Sequence, residues 1–229
     1  MRESLSEVER DVVRCAECPR LVRHREEIAR RKRRAYAGET YWGRPVPGFG
    51  RGGARLVVVG LAPGAHGSNR TGRMFTGDAS GDLLYRTLHR YGFASQARAV
   101  SRDDGLELRD CFVTAIVRCV PPGNRPNREE IARCRPFLLR ELRLLRRARV
   151  YVALGRLAFD TLVPALREIG RPPLEERPRF RHGARFDLSG GRLLLASYHP
   201  SRQNTQTGRL TEPMFRAVFR AAREAVSGA

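Results

Sequence analysis

Four short apolar runs recur along the chain, and each ends at a loop that contains Gly, Pro, His or Cys. The runs are RLVVVG, CFVTAIVR, RVYVALG and RLLLASY, at 55–60, 111–118, 149–155 and 192–198. They are rich in branched side chains and almost continuously apolar, which is typical of strands that are buried on both faces of a parallel sheet. The pattern therefore predicts four parallel strands.

Helical spacing of apolar residues appears in the segments around these runs. It covers 80–92, 128–145, 156–169 and 211–226, and Pro164 is expected to interrupt the third segment. Alternating strands and helices predict an α/β fold with helices on both faces of the sheet. Ligands of such sheets bind beyond the carboxyl ends of the strands, so the loops that start at Gly60, Cys119, Gly155 and His199 should surround one crevice.

The 229 residues are enough for one domain, and we predict a single domain over 1–229. Two segments look like appendages: the basic N-terminal stretch 1–34, and 170–191, which we expect to be a long surface loop or a hairpin. The first thirty residues lack a signal-peptide core, and no long apolar span follows. We expect a cytoplasmic monomer that does not bind membranes.

Charge and cysteine content narrow the chemistry. The net charge of +20 favours a polyanionic partner, above all nucleic acid. Cys15 and Cys18 form a close pair before a proline, whereas Cys119 and Cys134 stand alone on either side of a Pro/Asn loop. Four thiolates can close one metal shell, and this spacing favours a [4Fe–4S] cluster over zinc, with buried thiols as the alternative. Cys111 opens a strand and is predicted to be a core thiol.

Three motifs carry a resemblance to a known family. They are GLAPGAHGSNRTGRMFTGD at 60–78, TAIVRCVPPGNRPN at 114–127 and SYHPSRQNTQTGRLT at 197–211. Together with the cysteines, they resemble the family 5 (type b) uracil-DNA glycosylases. The resemblance implies a three-layer α/β/α sandwich with a central, mainly parallel four-stranded sheet, and excision of uracil and other damaged bases from DNA. It also implies a structural cluster on four cysteines, Cys15, Cys18, Cys119 and Cys134.

The resemblance also assigns roles within the pocket. Phe75 is expected to stack on a flipped base, and His199 to bond the base carbonyl as negative charge develops on the base. Without the motifs, a core anchor and a strand-end cap would be the more frequent roles of these two residues. The remaining base- and sugar-binding candidates lie in the glycine-rich loop, where the backbone can approach a nucleotide closely: Gly60, Ala62, Gly64, His66 and Asn69.

Two departures from other branches of the superfamily affect the expected mechanism. Leu61 and Ala62 stand where those branches carry a catalytic acidic residue or Asn, so attention moves to Asp78, the loop's only carboxylate. From position alone, the N-cap of the helix that follows is the favoured role of Asp78, and the two roles are compatible. Ala115 stands where relatives have an Asn that reads the edge of uracil, so we expect a broad pocket that also admits hypoxanthine and exocyclic cytosine adducts.

The polar segment after His199 resembles the family's loop that enters DNA. Arg202 and Gln203 are the candidate wedge residues, and Arg209 is expected on phosphate. Asn204 and Arg70 complete the DNA-binding candidates. The expected substrate is double-stranded DNA, with single-stranded DNA as a further possibility. The main alternative to a DNA repair enzyme is a non-catalytic Fe–S or zinc module that binds nucleic acid. A phosphate-cradling nucleotide enzyme is less favoured, because the loop lacks Gly-Lys-Ser/Thr.

Overall fold

The computed structural model describes residues 3–228, in which one six-stranded sheet lies between α-helices. The strands are β1 (Phe49–Gly50), β2 (Leu56–Gly60), β3 (Cys111–Ala115), β4 (Val150–Leu154), β5 (Arg185–Leu188) and β6 (Arg192–Ser197). The helices are α1 (Leu5–Arg14), α2 (Pro19–Arg31), α3 (Ser68–Thr71), α4 (Ala79–Arg90), α5 (Arg128–Leu144), α6 (Arg156–Glu168), α7 (Arg202–Gln206) and α8 (Glu212–Ser227).

The sheet has the strand order β1-β3-β2-β4-β6-β5. Its four central strands, β3, β2, β4 and β6, are parallel to one another and correspond to the four apolar runs, so that part of the prediction is confirmed. The predicted number of four strands was too small, because β1 and β5 add antiparallel edges. β1 has only two residues, and β5 alternates exposed and buried positions, so neither contains a continuous apolar run. Segment 170–191 therefore contributes to a hairpin.

Helices cover both faces of the sheet. On one face, Leu84 of α4 and Phe215 of α8 share a buried core with Val58 of β2. On the other face, Leu138 of α5 and Phe159 of α6 pack against the side chains that the same strands point to that face. The three-layer α/β/α sandwich is confirmed, and the loops at the carboxyl ends of the strands remain free to build a site.

Helix α6 runs through Pro164 and is not interrupted there, so that expectation was wrong. Proline removes the N–H that would bond the carbonyl four residues earlier, at Asp160. Both Pro164 and Asp160 are exposed, so water can satisfy the freed carbonyl. Phe159 and Leu166 on the opposite side are buried in the core, which holds the helix in place despite the missing bond.

The N-terminal segment 1–34 begins with two residues outside the described part of the chain. From residue 3 onward it is packed against the domain, with Val8 and Val12 of α1 buried. Helix α1 starts at a capping box in which Ser4 N donates to Glu7 Oε2 at 2.7 Å. Within residues 3–228, no helix is both long and apolar enough to cross a bilayer. The single-domain assignment over 1–229 stays a prediction.

Candidate active site

The carboxyl ends of the parallel strands bring the predicted loops to one edge of the sheet. Gly60 at the end of β2 is in register with Ala115 at the end of β3, and Ile116 N donates to Gly60 O at 3.0 Å. On the other side of the edge, Gly155 N donates to Ser197 O at 2.7 Å. The loops after β2, β3, β4 and β6 therefore meet at this edge of the sheet, where the crevice was predicted.

Phe75 and His199 face each other in this crevice. Their ring centroids are 5.8 Å apart with an angle of 29° between the planes, although the two residues lie on different loops. Phe75 has a left-handed backbone (φ 53°), which is rare for a bulky residue and is found at strained functional positions. A Cβ at Gly60 would lie 2.6 Å from the Phe75 ring, and one at Gly81 would lie 1.7 Å from Phe75 O. Both glycines are thus needed to place the Phe75 ring.

His199 is held by its backbone and is neutral near physiological pH. Burial lowers the pKa of its imidazole to about 4. Asn204 Nδ2 donates to His199 O at 2.8 Å, and the N–H of the preceding Tyr198 donates to His182 Nδ1 at 3.1 Å. These two contacts fix the backbone of His199 and of the residue before it, and no residue of 3–228 hydrogen-bonds to a ring nitrogen of His199.

Asp78 is the N-cap of α4, as its alternative role predicted. Its Oδ1 accepts from Gly81 N at 3.0 Å. Its Oδ2 points at the glycine-rich loop, because a Cβ at Gly67 would lie 2.0 Å from that oxygen and one at Gly64 2.6 Å. Burial raises the pKa of the carboxyl, against the opposing effects of backbone N–H groups and of the Arg202 charge. One oxygen thus caps the helix while the other faces the site.

The polar residues of the glycine-rich loop are anchored to the N-terminal region. His66 Nδ1 lies 3.0 Å from Tyr41 Oη, and the pKa of His66 is lowered by burial and by nearby arginine charges. Asn69 is buried, and its Nδ2 donates to Arg25 O at 3.2 Å while its Oδ1 has no partner within residues 3–228. These contacts fix the loop, whereas contacts of His66 and Asn69 with a base or sugar stay predictions.

Small side chains line the ends of the two central strands. Ala115 is fully buried at the end of β3, beside Gly60. Ala62 is partly buried and packs against the core on the α5/α6 side. Neither side chain can donate or accept a hydrogen bond, so any hydrogen bond to a ligand at this position must come from backbone groups or from neighbouring side chains.

The residues predicted to contact DNA divide into two groups. Arg202 and Gln203 on α7 and Arg209 after it are exposed, and the Arg209 guanidinium lies 4.6 Å from the Tyr198 ring centroid. Asn204 instead holds the backbone of His199. Arg70 is also engaged inside the protein: it donates to His66 O at 2.8 Å and to Gly77 O at 3.1 Å, and it pairs with Glu39. DNA contacts of all five residues stay predictions.

The four cysteines of the predicted cluster line one cavity. Cys15 and Cys18 come from the junction of α1 and α2, Cys119 from the loop after β3, and Cys134 from α5. Burial raises the pKa of the Cys119 thiol to about 11 and that of Cys134 to about 12. Among the described residues, no three His, Cys, Asp or Glu side chains are grouped closely enough to hold a single metal ion. Cys111 does not line this cavity. It is a buried thiol in the hydrophobic core, as predicted.

Two buried arginines line the same cavity with unsatisfied N–H groups. Arg25 Nη1 donates to Cys119 Sγ at 3.0 Å, and Arg118 N donates to Cys134 Sγ at 3.3 Å. Nε of Arg25 and both Nε and Nη1 of Arg118 have no partner within residues 3–228. Uncompensated buried donors are costly, so the cavity favours an anionic occupant.

Comparison with known proteins identifies the family. The model of the uracil DNA glycosylase superfamily matches residues 47–223, which include the glycine-rich loop, Ala115 and His199. The chain belongs to the uracil-DNA glycosylase superfamily. It is 55% identical to a type-5 uracil-DNA glycosylase of Thermus thermophilus over 91% of this chain and 92% of that protein. It is 46% identical to one of Pyrobaculum aerophilum over 92% of this chain and 88% of that protein.

Type-4 uracil-DNA glycosylases are less similar: one from Thermotoga maritima is 32% identical over 68% of this chain. The type-5 resemblance expected from the three motifs is therefore confirmed. The uracil-DNA glycosylase match starts at residue 47, so α1 and α2, with two of the four cavity cysteines, lie before it. Helix α2 is nevertheless hydrogen-bonded to the glycine-rich loop, because Asn69 Nδ2 donates to Arg25 O.

Several residues that support the site were not predicted from the sequence. They are Arg25, Tyr41, Glu141 and His182. Glu141 Oε2 accepts from Thr114 Oγ1 at 2.7 Å and from Arg118 Nη2 at 2.6 Å, which joins the end of β3 to the cysteine cavity. Glu141 could have been predicted, because it is a charged residue on the apolar face of the helical pattern at 128–145 and therefore needs a buried partner. Tyr41 and His182 gave no such signal, because their partners lie far away in the sequence.

Proposed function

We propose that this protein is a DNA glycosylase that releases uracil from DNA by hydrolysing the N-glycosidic bond. The observation that carries the proposal is the juxtaposition of Phe75 and His199, whose rings lie 5.8 Å apart at the carboxyl edge of the sheet. An aromatic ring supplies a stacking surface for a flipped base, and an imidazole supplies a hydrogen bond to its carbonyl. Both residues lie within the part of the chain matched by the superfamily model.

Catalysis requires stabilisation of the leaving base. As the glycosidic bond breaks, negative charge moves onto the base and positive charge develops on the sugar. With its pKa lowered to about 4, His199 is a neutral donor, and an N–H aimed at the base carbonyl stabilises the transition state more than the ground state. Because the donor is already fixed by its backbone contacts, little reorganisation accompanies the reaction.

Asp78 is proposed to act on the sugar side. Its Oδ1 is occupied as the helix cap, so Oδ2 is the oxygen available to orient water or to stabilise the sugar cation. Burial has the largest effect and raises the pKa of the Asp78 carboxyl, whereas backbone N–H groups and the Arg202 charge act in the opposite direction, towards the ionised form that either role requires. The cap and the catalytic role use different oxygens and are compatible.

The pocket is proposed to accept hypoxanthine and exocyclic cytosine adducts as well as uracil. Ala115 is fully buried at the end of β3 and presents no polar atom to a base. A purine or an adduct therefore leaves no side-chain donor unpaired at this position, and the penalty that would exclude it is missing. Selectivity then depends partly on how easily a mismatched or damaged base leaves the stack.

The four-cysteine cavity is proposed to hold a [4Fe–4S] cluster. The donor set fits, because four thiols line one cavity and four cysteine thiolates are the ligands that such a cluster takes. The unsatisfied N–H groups of Arg25 and Arg118 also fit an anionic group bound by thiolates. When bound, the cluster would supply structural cross-linking of α1, α2, the loop after β3 and α5. Iron and acid-labile sulfide analysis of anaerobically purified protein tests this assignment against zinc.

Single-turnover release of uracil tests the activity itself. Enzyme in excess is mixed with matched duplex and single-stranded oligonucleotides that contain one uracil or one hypoxanthine, and free base is quantified. Release of uracil is expected from duplex DNA, with the single-stranded arm setting the strand preference. DNA binding without release of either base would replace the glycosylase proposal by the binding-module alternative. Sedimentation of the free protein tests the proposed monomer.

A further inference from the structure

Five consecutive cations, Arg30 to Arg34, lie at the end of α2 and are not used by the site described above. We call residues 30–34 the basic run. Its four arginines are exposed, and Lys32 has a left-handed backbone (φ 54°) that turns the chain out of the helix. Arg31 pairs with Glu27 at 3.0 Å, whereas Arg30, Arg33 and Arg34 make no ion pair with any residue of 3–228. The run is thus a concentrated and largely uncompensated positive surface.

Three contacts fix the basic run beside the glycine-rich loop. Arg25, in the middle of α2, accepts a hydrogen bond from Asn69 of α3 at 3.2 Å. Just after the run, the Tyr36 ring lies 4.0 Å from the guanidinium of Arg70, and Tyr36 N donates to Arg33 O at 2.8 Å. Further along, Tyr41 Oη lies 3.0 Å from His66 Nδ1. The run therefore stands at the rim of the loop that faces Asp78.

We propose that the basic run binds the phosphate backbone of duplex DNA next to the flipped nucleotide. The inference rests on the proposed glycosylase function and extends its DNA interface to a surface that precedes the superfamily match. Exposed guanidinium groups bind phosphate oxygens in a forked geometry and release counterions from the duplex. Because the run adjoins the loop around the flipped nucleotide, the same DNA strand can reach both surfaces.

The chain offers a matched control at the opposite edge of the sheet. Arg109, Arg146, Arg147 and Arg149 are also exposed arginines without ion pairs in residues 3–228, and they precede β3 and β4. They therefore lie at the amino ends of strands whose carboxyl ends form the pocket. Replacing either set by glutamine removes four charges, so the two variants have the same net charge and differ only in where the charge is lost.

The experiment compares R30Q/R31Q/R33Q/R34Q with R109Q/R146Q/R147Q/R149Q and the wild type. Single-turnover uracil release from duplex DNA is measured at increasing enzyme concentration and at several KCl concentrations. For the basic-run variant we expect the half-saturating concentration to rise about tenfold or more, while the maximal rate stays within about twofold. The slope of log affinity against log[KCl] should become shallower by about 2–4, since each lost phosphate contact removes about 0.9.

Each other result overturns the inference. Equal loss of affinity in the two variants would mean that only net charge matters, and an unchanged salt slope in the basic-run variant would mean that the run is merely solvated. Loss of the maximal rate at matched thermal stability would assign the run to chemistry and not to binding. If the wild type itself releases no uracil, the proposed function fails, and direct binding of the same labelled duplex by the wild type and the two variants, at the same KCl concentrations, tests the basic run independently: equal binding by the two variants would overturn the inference.

Discussion

Arg25 donates a hydrogen bond to Cys119 Sγ at 3.0 Å from a side chain that is only 7% exposed. The backbone carbonyl of the same arginine accepts from Asn69 of the glycine-rich loop. One residue of α2 thus touches both the cysteine cavity and the loop that surrounds the proposed base pocket. We therefore expect the two regions to respond together to changes at Arg25.

Arg25→Gln should release iron from the cavity faster than the wild type. The substitution removes a charged donor to a thiolate, an effect on the order of 1.5 kcal/mol or about tenfold in the rate of iron loss to a chelator. The measurement is the decay of the cluster's visible absorption in excess chelator. Arg23→Gln, an exposed change on the same helix, is the control. Equal half-times for Arg25→Gln and the wild type would disprove the role given to Arg25.

Cys15→Ala should lower stability more than it lowers the maximal rate of base release. Loss of one ligand weakens the cross-link between α1, α2 and α5, whereas no cysteine touches Phe75 or His199 in the proposed mechanism. Thermal unfolding and iron content are measured beside single-turnover rates. Cys111→Ala removes a buried thiol outside the cavity and should keep its iron. A Cys15→Ala protein that lacks iron yet unfolds like the wild type would contradict the structural role.

His199→Ala should slow uracil release about 100- to 1,000-fold while duplex binding is retained. This is the range found when one donor to a developing anion is removed. His199→Gln keeps a donor at a similar position and should recover part of the rate. The test is the single-turnover rate with DNA binding measured in parallel. Near-normal release by His199→Ala would remove His199 from the chemistry.

The pH dependence of stability should carry the signature of a buried neutral histidine. The pKa of His199, about 4 in the folded protein, is below its ordinary value of about 6.5. Between these two values the unfolded chain takes up a proton that the folded chain does not. Stability should therefore fall as the pH drops from about 6.5 towards 4. Urea unfolding across this range should show a smaller fall for His199→Gln than for the wild type.

Asp78→Asn and Asp78→Ala separate the helix cap from the proposed catalytic role. Asn caps helices about as well as Asp, so Asp78→Asn should keep the stability of α4 but slow base release, because the negative charge is lost. Asp78→Ala should also lose about 1 kcal/mol of unfolding free energy. Denaturant unfolding and single-turnover rates are compared for both. A fully active Asp78→Asn would leave Asp78 as a cap alone.

Ala115→Asn should narrow the substrate range. An added amide at the end of β3 bonds the edge of uracil and is left unpaired by hypoxanthine, which shifts the ratio of release rates towards uracil. Ala115→Val adds bulk without a polar group and controls for crowding of the pocket. The measured quantity is the ratio of single-turnover rates for the two bases. An unchanged ratio in Ala115→Asn would argue against this account of the broad pocket.

The central sheet was predictable because strands buried on both faces must be apolar at every position. Edge strands need no such pattern, and β1 and β5 were therefore missed or seen only as a hairpin. The prediction that Pro164 interrupts its helix was wrong because the carbonyl it frees, at Asp160, is exposed to water. That exposure depends on how the helix packs and is not visible in the local sequence. Burial, in this case, decided whether a helix could tolerate a proline.

The loops that form the candidate site could be predicted from the sequence, but most of the hydrogen bonds that hold these loops in place could not. The structure brings the loops of Phe75, Asp78 and His199 to one edge, since strand ends gather there, and the roles of the three residues stay predictions. The inward bonds of Arg70 and Asn204 were not foreseen, because a polar residue in a loop looks the same whether it binds DNA or the backbone beside it. The Tyr41–His66 contact forms only because the fold brings two separate segments together, and local sequence patterns do not show this.

The left-handed backbone of Phe75 limits how this loop can vary between related proteins. Gly60 and Gly81 each leave room for one part of Phe75, the first for its ring and the second for its carbonyl. A side chain at either glycine displaces Phe75, and no substitution of Phe75 alone makes room at Gly81, where the backbone itself is in the way. A replacement of Gly60 therefore needs a linked replacement of Phe75, which is not its neighbour in the chain, whereas a replacement of Gly81 needs a different path of the loop backbone.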